Sequence, residues 1–363
     1  MSRGVKFDAS PAKPQARRRV SCSTMPPARR RPMIIAFSVV LLAIAAGLYA
    51  FTLWQVRVIE ARFPPQGQFV SVGGGRLHLA IREPQGSLRA TILLLHGATG
   101  NERNMMAPLA APLAERGFRV IGIDRPGHGW SDRIEGRAAS SPAVQARLIV
   151  EGLKTIGVTH AIVLGHSLAG AVATNFALDQ RDFTDGLVLV SPVTHPWPGG
   201  IAAYYKVSAS PVTGPLFNNL IALPAGMLVM EKATASIFTP QNVPETFAAD
   251  TAAALVLRPA EFRANSEDVT DLEAFVTQQA PRLPEIKVPV AIVSGDHDGV
   301  VYTHIHSEGS LRAIAGATLK LLPGVGHAPH FTNTADVVAA AEEVADRINQ
   351  RKTTPSVMSD AVK

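Results

Sequence analysis

The stretch Val163-Leu164-Gly165-His166-Ser167-Leu168-Ala169-Gly170 decides the fold. The apolar run Ala161–Leu164 reads as a short buried strand, and the small residues Ala169–Ala173 open a helix. Between them a serine is flanked by Gly165 two residues before and Ala169 two residues after. A strand that turns sharply into a helix leaves little room for side chains at those two places. The residue at the apex takes a strained backbone conformation that lifts its hydroxyl off the sheet edge. The amide of the following residue, Leu168, then points where an oxyanion would form, helped by the helix N-terminus.

Two later runs supply the groups such a serine needs. Val288–Ser294 is apolar, reads as a buried parallel strand and ends in Gly295-Asp296-His297-Asp298-Gly299. Ligand-facing groups of open α/β sheets lie in such loops, at the carboxyl ends of strands. A second strand-like run, Thr318–Leu322, leads into Pro323-Gly324-Val325-Gly326-His327-Ala328-Pro329-His330. A serine hydroxyl is a weak nucleophile at neutral pH, so an imidazole must take its proton. A carboxylate behind the imidazole fixes the tautomer and stabilises the imidazolium. The order Ser167, Asp298, His327 is that of the α/β-hydrolases.

Two further stretches extend the likeness. Thr91–Gly100 is a strand running into a His96-Gly97 turn, and Val120–Ser131 contains Asp124-Arg125-Pro126-Gly127-His128-Gly129-Trp130-Ser131. From about Gln68 to Gln350 the chain resembles the α/β-hydrolase superfamily, of the cap-bearing kind that includes esterases, lipases, C–C bond hydrolases and cofactor-free haloperoxidases. The resemblance implies Ser167 as nucleophile, His327 as base, Asp298 as its orienting acid, and the amides of Ala98 and Leu168 as oxyanion donors. Ala169 departs from the glycine usual after the serine. A serine nucleophile sets the chain apart from dehalogenases and epoxide hydrolases, which use an aspartate. The lack of a His-Gly-Gly-Gly run sets it apart from the hormone-sensitive-lipase-like branch.

Neighbouring residues compete for these roles. Asp296 could serve as the acid, but the superfamily's Gly-x-x-Asp spacing implies Asp298, and the position just after Gly326 favours His327 over His330. His166 reads as a packing residue and His96 as a holder of its loop. His297, His304 and His306 read as solvated surface histidines, with no zinc spacing among them. No metal or organic cofactor is implied. Gly73-Gly74-Gly75 between Gln68–Val72 and Arg76–Arg82 reads as a hairpin turn.

The whole chain carries a formal charge of +6. Residues 1–32 hold nine basic side chains against Asp8, a local +8, so the rest carries −2. The basic excess belongs to a tail, which removes the main support for nucleic-acid binding. Met33–Trp54 has no charged residue and exceeds the roughly 20 residues needed to cross a bilayer. The basic flank places a disordered tail, 1–32, in the cytoplasm and the catalytic body on the extracytoplasmic, periplasmic side. A cleaved signal peptide is the alternative, although the run is longer than the usual 7–15 or so apolar residues. A start at Met25 or Met33 would shorten the tail. Cys22 is the single cysteine, so no internal disulfide forms.

The expected architecture is therefore α/β, with a mostly parallel central sheet covered by helices on both faces. The hydrolase domain is expected over 64–351, behind a transmembrane anchor over 33–54. Its covering helices include Ala143–Ile156, Leu168–Gln180 and Thr334–Gln350. The interval after the strand Leu187–Ser191 is too long for a loop, and a helical cap over about 194–284 fills it. A flexible C-terminal tail, 352–363, completes the chain. The expected reaction is cleavage of a small apolar or lipid-like carboxylic ester. C–C hydrolysis, perhydrolysis and an inactive binding module are the alternatives.

Overall fold

The computed structural model describes residues 27–353. Most of the basic tail, Cys22 and the last ten residues lie outside the described residues. The chain divides into two compact units, Met1–Gly47 and Leu48–Lys363. One helix, α1 (Pro27–Arg62), runs through the boundary. It is longer than the uncharged run at both ends, and its apolar side chains from Met33 to Leu42 are exposed. It is long and apolar enough to cross a membrane.

The second unit is built on an eight-stranded sheet. Strands β1 (Gln68–Val72) and β2 (Gly75–Arg82) form an antiparallel hairpin. Gly73 and Gly74 both take positive φ at its turn, which explains the glycines there. The remaining strands are β3 (Ala90–Leu95), β4 (Phe118–Ile123), β5 (Ala161–His166), β6 (Thr184–Val190), β7 (Val290–Gly295) and β8 (Thr318–Leu322). The spatial order is β1-β2-β4-β3-β5-β6-β7-β8, parallel from β4 onward.

Helix α2 (Glu102–Glu115) follows β3, α3 (Pro142–Thr155) follows β4, and α4 (Ala169–Asp179) follows β5. Between β6 and β7 lie α5 (Ala203–Ala209), α6 (Gly214–Phe217), α7 (Leu223–Phe238), α8 (Phe247–Asp250) and α9 (Pro259–Gln279). A π turn, Asn218–Ala222, joins α6 to α7. Helices α10 (Thr303–Ala313), α11 (Pro329–Thr332) and α12 (Thr334–Thr353) follow.

Period-2 alternation splits each central strand between two cores. On one face Leu93 and Leu95 meet Leu148, Leu153, Val172 and Phe176 from α3 and α4. On the other Ile92 and Leu94 meet Leu109, Leu113, Val337 and Val344 from α2 and α12. Both faces are dry, as a parallel sheet requires. The carboxyl ends of β3, β5, β7 and β8 are thereby held at one edge, and the loops carrying Ala98, Ser167, Asp298 and His327 leave from there.

Candidate active site

Ser167 follows β5 directly and takes φ of 56°, the left-handed region that a non-glycine residue enters only under constraint. Its amide donates to Val190 O at 3.0 Å, while its carbonyl accepts from Gly170 N at 2.8 Å and Val193 N at 2.9 Å. Those three bonds fix the corner. A methyl group on Gly165 would lie 2.5 Å from Ala169 O, so glycine is required there. Ala169 itself is fully buried without conflict, and the second close approach falls at Gly170, where a Cβ would meet Pro192 at 2.4 Å.

The structure brings Ser167, His327 and Asp298 together. Ser167 Oγ lies 2.9 Å from His327 Nε2, and His327 Nδ1 lies 2.7 Å from Asp298 Oδ2. The carboxylate can only accept, so Nδ1 carries the proton and Nε2 is left to receive the serine proton. Asp298 Oδ1 accepts from Val300 N and Val301 N at 2.9 and 2.8 Å. Burial would raise this carboxyl, but His327 and the two amides outweigh it and hold it below the usual range. Asp296 instead contacts His297 and Gly324 N. His330 is buried and makes no hydrogen bond with the serine.

His166 is more than a packing residue. Its Nε2 donates to His327 O at 3.0 Å, tying the corner to the loop of the neighbouring imidazole. Burial, followed by the nearby His327, lowers its pKa to about 3, so it stays neutral.

The loop after β3 lies against the serine because residue 97 has no side chain. A Cβ there would meet Ser167 Cβ at 2.9 Å and His166 Nδ1 at 3.2 Å. The amides of Ala98 and Leu168 have no acceptor among the described residues. The peptide that bears the Ala98 N–H is fixed through its other end. Gly97 O accepts from His96 Nδ1 at 2.9 Å and Arg125 Nη2 at 3.1 Å. His96 Nε2 accepts from Arg125 N at 3.0 Å, so His96 holds its loop through backbone bonds. Burial keeps that imidazole well below its ordinary pKa.

Arg125 links this loop to the cap. It is fully buried, and Nη1 donates to Asp268 of α9 at 2.7 Å and to Gln145 at 2.8 Å. Asn265, also on α9, accepts from Thr99 N at 2.7 Å. Sequence reading missed both partners, since nothing in a helix heptad marks which polar residue will be buried. His306 departs from expectation. It is buried and accepts from Thr194 N and His195 N at 3.2 Å, because α10 packs under the loop after β6; His304 is exposed as expected.

The segment after β4 is structural in this chain. Asp124 accepts from His78 Nδ1, Glu102 N and Trp130 N at 2.7–2.8 Å. A side chain at Gly129 would strike its carboxyl at 2.2 Å. His78, Glu102 and Asp124 form the one cluster of metal-ligating groups found among the described residues. Both nitrogens of His78 already face oxygen acceptors, Asp124 Oδ2 and Gln66 O, so the cluster is closed by its own hydrogen bonds.

Ser167 and His327 are 9 % and 4 % exposed, so both are shielded from bulk water. The cap reaches the imidazole loop: His327 N donates to Ile237 O at 2.9 Å. Chemically, the arrangement sets a hydroxyl against an oriented imidazole, beside two unpaired amides and away from bulk water.

Comparisons with known proteins bear on the family and the fold. An uncharacterised protein of Mycobacterium tuberculosis is 29% identical over 303 residues, covering 80% of this chain and 84% of its own. A 2-hydroxy-6-oxononadienedioate/2-hydroxy-6-oxononatrienedioate hydrolase of Klebsiella pneumoniae is 28% identical, covering 71% of this chain and 87% of its own. The crystal structure of an enol-lactonase from Burkholderia xenovorans superposes with a TM-score of 0.63 at 19% identity, covering 77% of this chain and all of that one. Residues 92–341 match the alpha/beta hydrolase family, more than half of the chain, and the protein belongs to that family.

Proposed function

We propose that the protein is a serine hydrolase that cleaves a carboxylic ester with an apolar acyl or alcohol part. The observation that carries this reading is the unbroken relay from Ser167 Oγ through His327 to Asp298. In it Ser167 attacks the ester carbonyl as His327 Nε2 takes the hydroxyl proton. The amides of Ala98 and Leu168 receive the negative charge that develops on the carbonyl oxygen. His327 then gives the proton to the departing alcohol, leaving an acyl group on Ser167, and water repeats the sequence to free the acid. A fluorophosphonate probe tests it: labelling mapped to Ser167 and lost in Ser167→Ala is expected. Unlabelled, folded protein would instead indicate a binding module.

C–C bond hydrolysis is the second reading, favoured by the name of the Klebsiella pneumoniae relative. Short and long acyl esters assayed beside a β-diketone separate the two.

The anchor reading goes with this proposal. Helix α1 holds the enzyme in a membrane through residues 33–54, with the basic tail cytoplasmic and the domain 64–351 on the far side. In this reading the cap, about 194–284, screens the ester from bulk water.

A further inference from the structure

We infer that the outer cap, from α6 through α7, is itself a membrane-seated surface that rests in the interfacial layer of a lipid bilayer. The inference rests on the anchor reading above. From Val207 to Met230 there is no charged residue, with Lys206 and Glu231 bounding the run. The overlapping stretch Gly214–Phe238 is, among the described residues, the second of two helical stretches long and apolar enough to cross a membrane. The ridge it presents is made of exposed apolar side chains: Leu216 is 68 %, Leu228 87 % and Val229 57 % exposed, with Ile221 and Met227 at 43 % and 46 %. Single exposed apolar residues need no explanation, but this number on one uncharged segment marks a candidate interaction surface.

The other face shows that the segment lies flat. Leu223 and Phe238 are fully buried, and Ser208 Oγ donates to Asn218 Oδ1 at 2.7 Å while Asn218 Nδ2 donates to Ser208 O at 3.1 Å. A stretch pinned to the cap by buried polar bonds along one side does not span. One apolar face outward and one face held to protein is the arrangement of an interfacial helix.

What says that lipid covers the ridge is its level relative to α1. Leu223 and Met230 of α7 belong to the same apolar cluster as Phe51, Val56, Ile59 and Phe63. Phe51 lies inside the uncharged run, three residues before its end at Trp54, which is about 4.5 Å of helix. If residues 33–54 fill the bilayer, the cluster that α7 shares with Phe51 is at headgroup depth and the outward ridge of α7 meets acyl chains. A water-facing ridge at that height would leave Leu53 and Trp54, 46 % and 58 % exposed, in water as well.

The test uses the full chain with Cys22→Ser, which removes the single native thiol. An environment-sensitive NBD label is placed at Leu228→Cys, or at Val229→Cys as a second variant. Ile44→Cys reports the anchor, and Leu88→Cys reports the amino end of β3, at the opposite edge of the sheet from the site. Each is reconstituted in phosphatidylcholine vesicles with or without doxyl-labelled phosphatidylcholine. The expected result is quenching of the 228 and 229 labels by shallow doxyl lipid at least about twofold stronger than at Leu88. Ile44 should respond most to deep doxyl lipid. Quenched Ile44 with 228 and 229 matching Leu88 would overturn the inference and leave the anchor standing. Unquenched Ile44 with quenched 228 would overturn the anchor alone. Blue-shifted but unquenched labels at 228 and 229 would assign the ridge to a second copy of the chain and overturn a lipid seat.

Discussion

Arg125 and Asp268, 143 positions apart, meet at 2.7 Å with both side chains fully buried. One follows β4 and the other sits on cap helix α9. The same guanidinium holds the carbonyls of His96 and Gly97, so one cation fixes both the cap root and the peptide bearing the Ala98 amide.

Removing Asp268 leaves the buried Arg125 uncompensated and also releases Arg133, which reaches Asp268 Oδ1 at 2.8 Å, a loss of about 3–5 kcal/mol. Asp268→Ala should therefore lower the unfolding free energy by that amount in denaturant titrations. Arg125→Met with Asp268→Leu should cost clearly less than the two single changes added together. Additive single effects would show that the pair does not act as a unit.

Kinetics read the candidate triad. Ser167→Ala is expected to lower kcat by roughly 10⁶, the scale of losing a nucleophile. Asp298→Asn should lower it by about 10⁴ while the protein stays folded, because the imidazole is left in the wrong tautomer. KM should move little in both. An Asp298→Asn enzyme within tenfold or so of wild type would transfer the acid role elsewhere.

Glu102 gives the fold a pH dependence of its own. Burial and the adjacent Asp124 push its carboxyl up to about 9 from an ordinary 4.5. The folded chain thus holds a proton that the unfolded chain releases, so the contribution is complete below about 4.5 and is lost as pH rises through about 9. Glu102→Gln cannot ionise. Its stability relative to wild type should climb between pH 5 and pH 9, followed by thermal melts across that range. A flat difference would contradict a buried, protonated Glu102.

The serine corner separates two small residues that look alike in sequence. Gly165→Ala forces a contact with Ala169 O and should abolish both probe labelling and turnover. Ala169→Gly opens no close contact and should cost only the ordinary 0.5–1 kcal/mol or so of glycine in a helix, with kcat nearly unchanged.

Much of the fold was legible because its signals are local. Strand β8 has the bounds its apolar run predicts, Thr318–Leu322, and the hairpin turns on the glycines that demanded it. Strand β5 continues past its apolar run to His166, carried by parallel pairing with Val190, which no local pattern encodes. The proximity of Ser167, Asp298 and His327 follows from their places at three strand ends. The supports around them were not legible. Asp268, Asn265 and Gln145 look like the polar face of ordinary helices until tertiary packing buries them against Arg125 and Thr99. His306 was misplaced for the same reason: its helix turns it under the loop after β6. Helix α1 runs past its apolar span to Arg62, where Ile59 and the following Phe63 join an apolar cluster with cap residues.

The bond from His327 N to Ile237 O has a consequence for turnover. Ile237 lies near the end of α7, and Gly326 packs within a methyl's width of Thr239, so the cap and the His327 loop are joined at two neighbouring points. Any displacement of the cap at Ile237 would therefore pull on the backbone that carries the His327 ring.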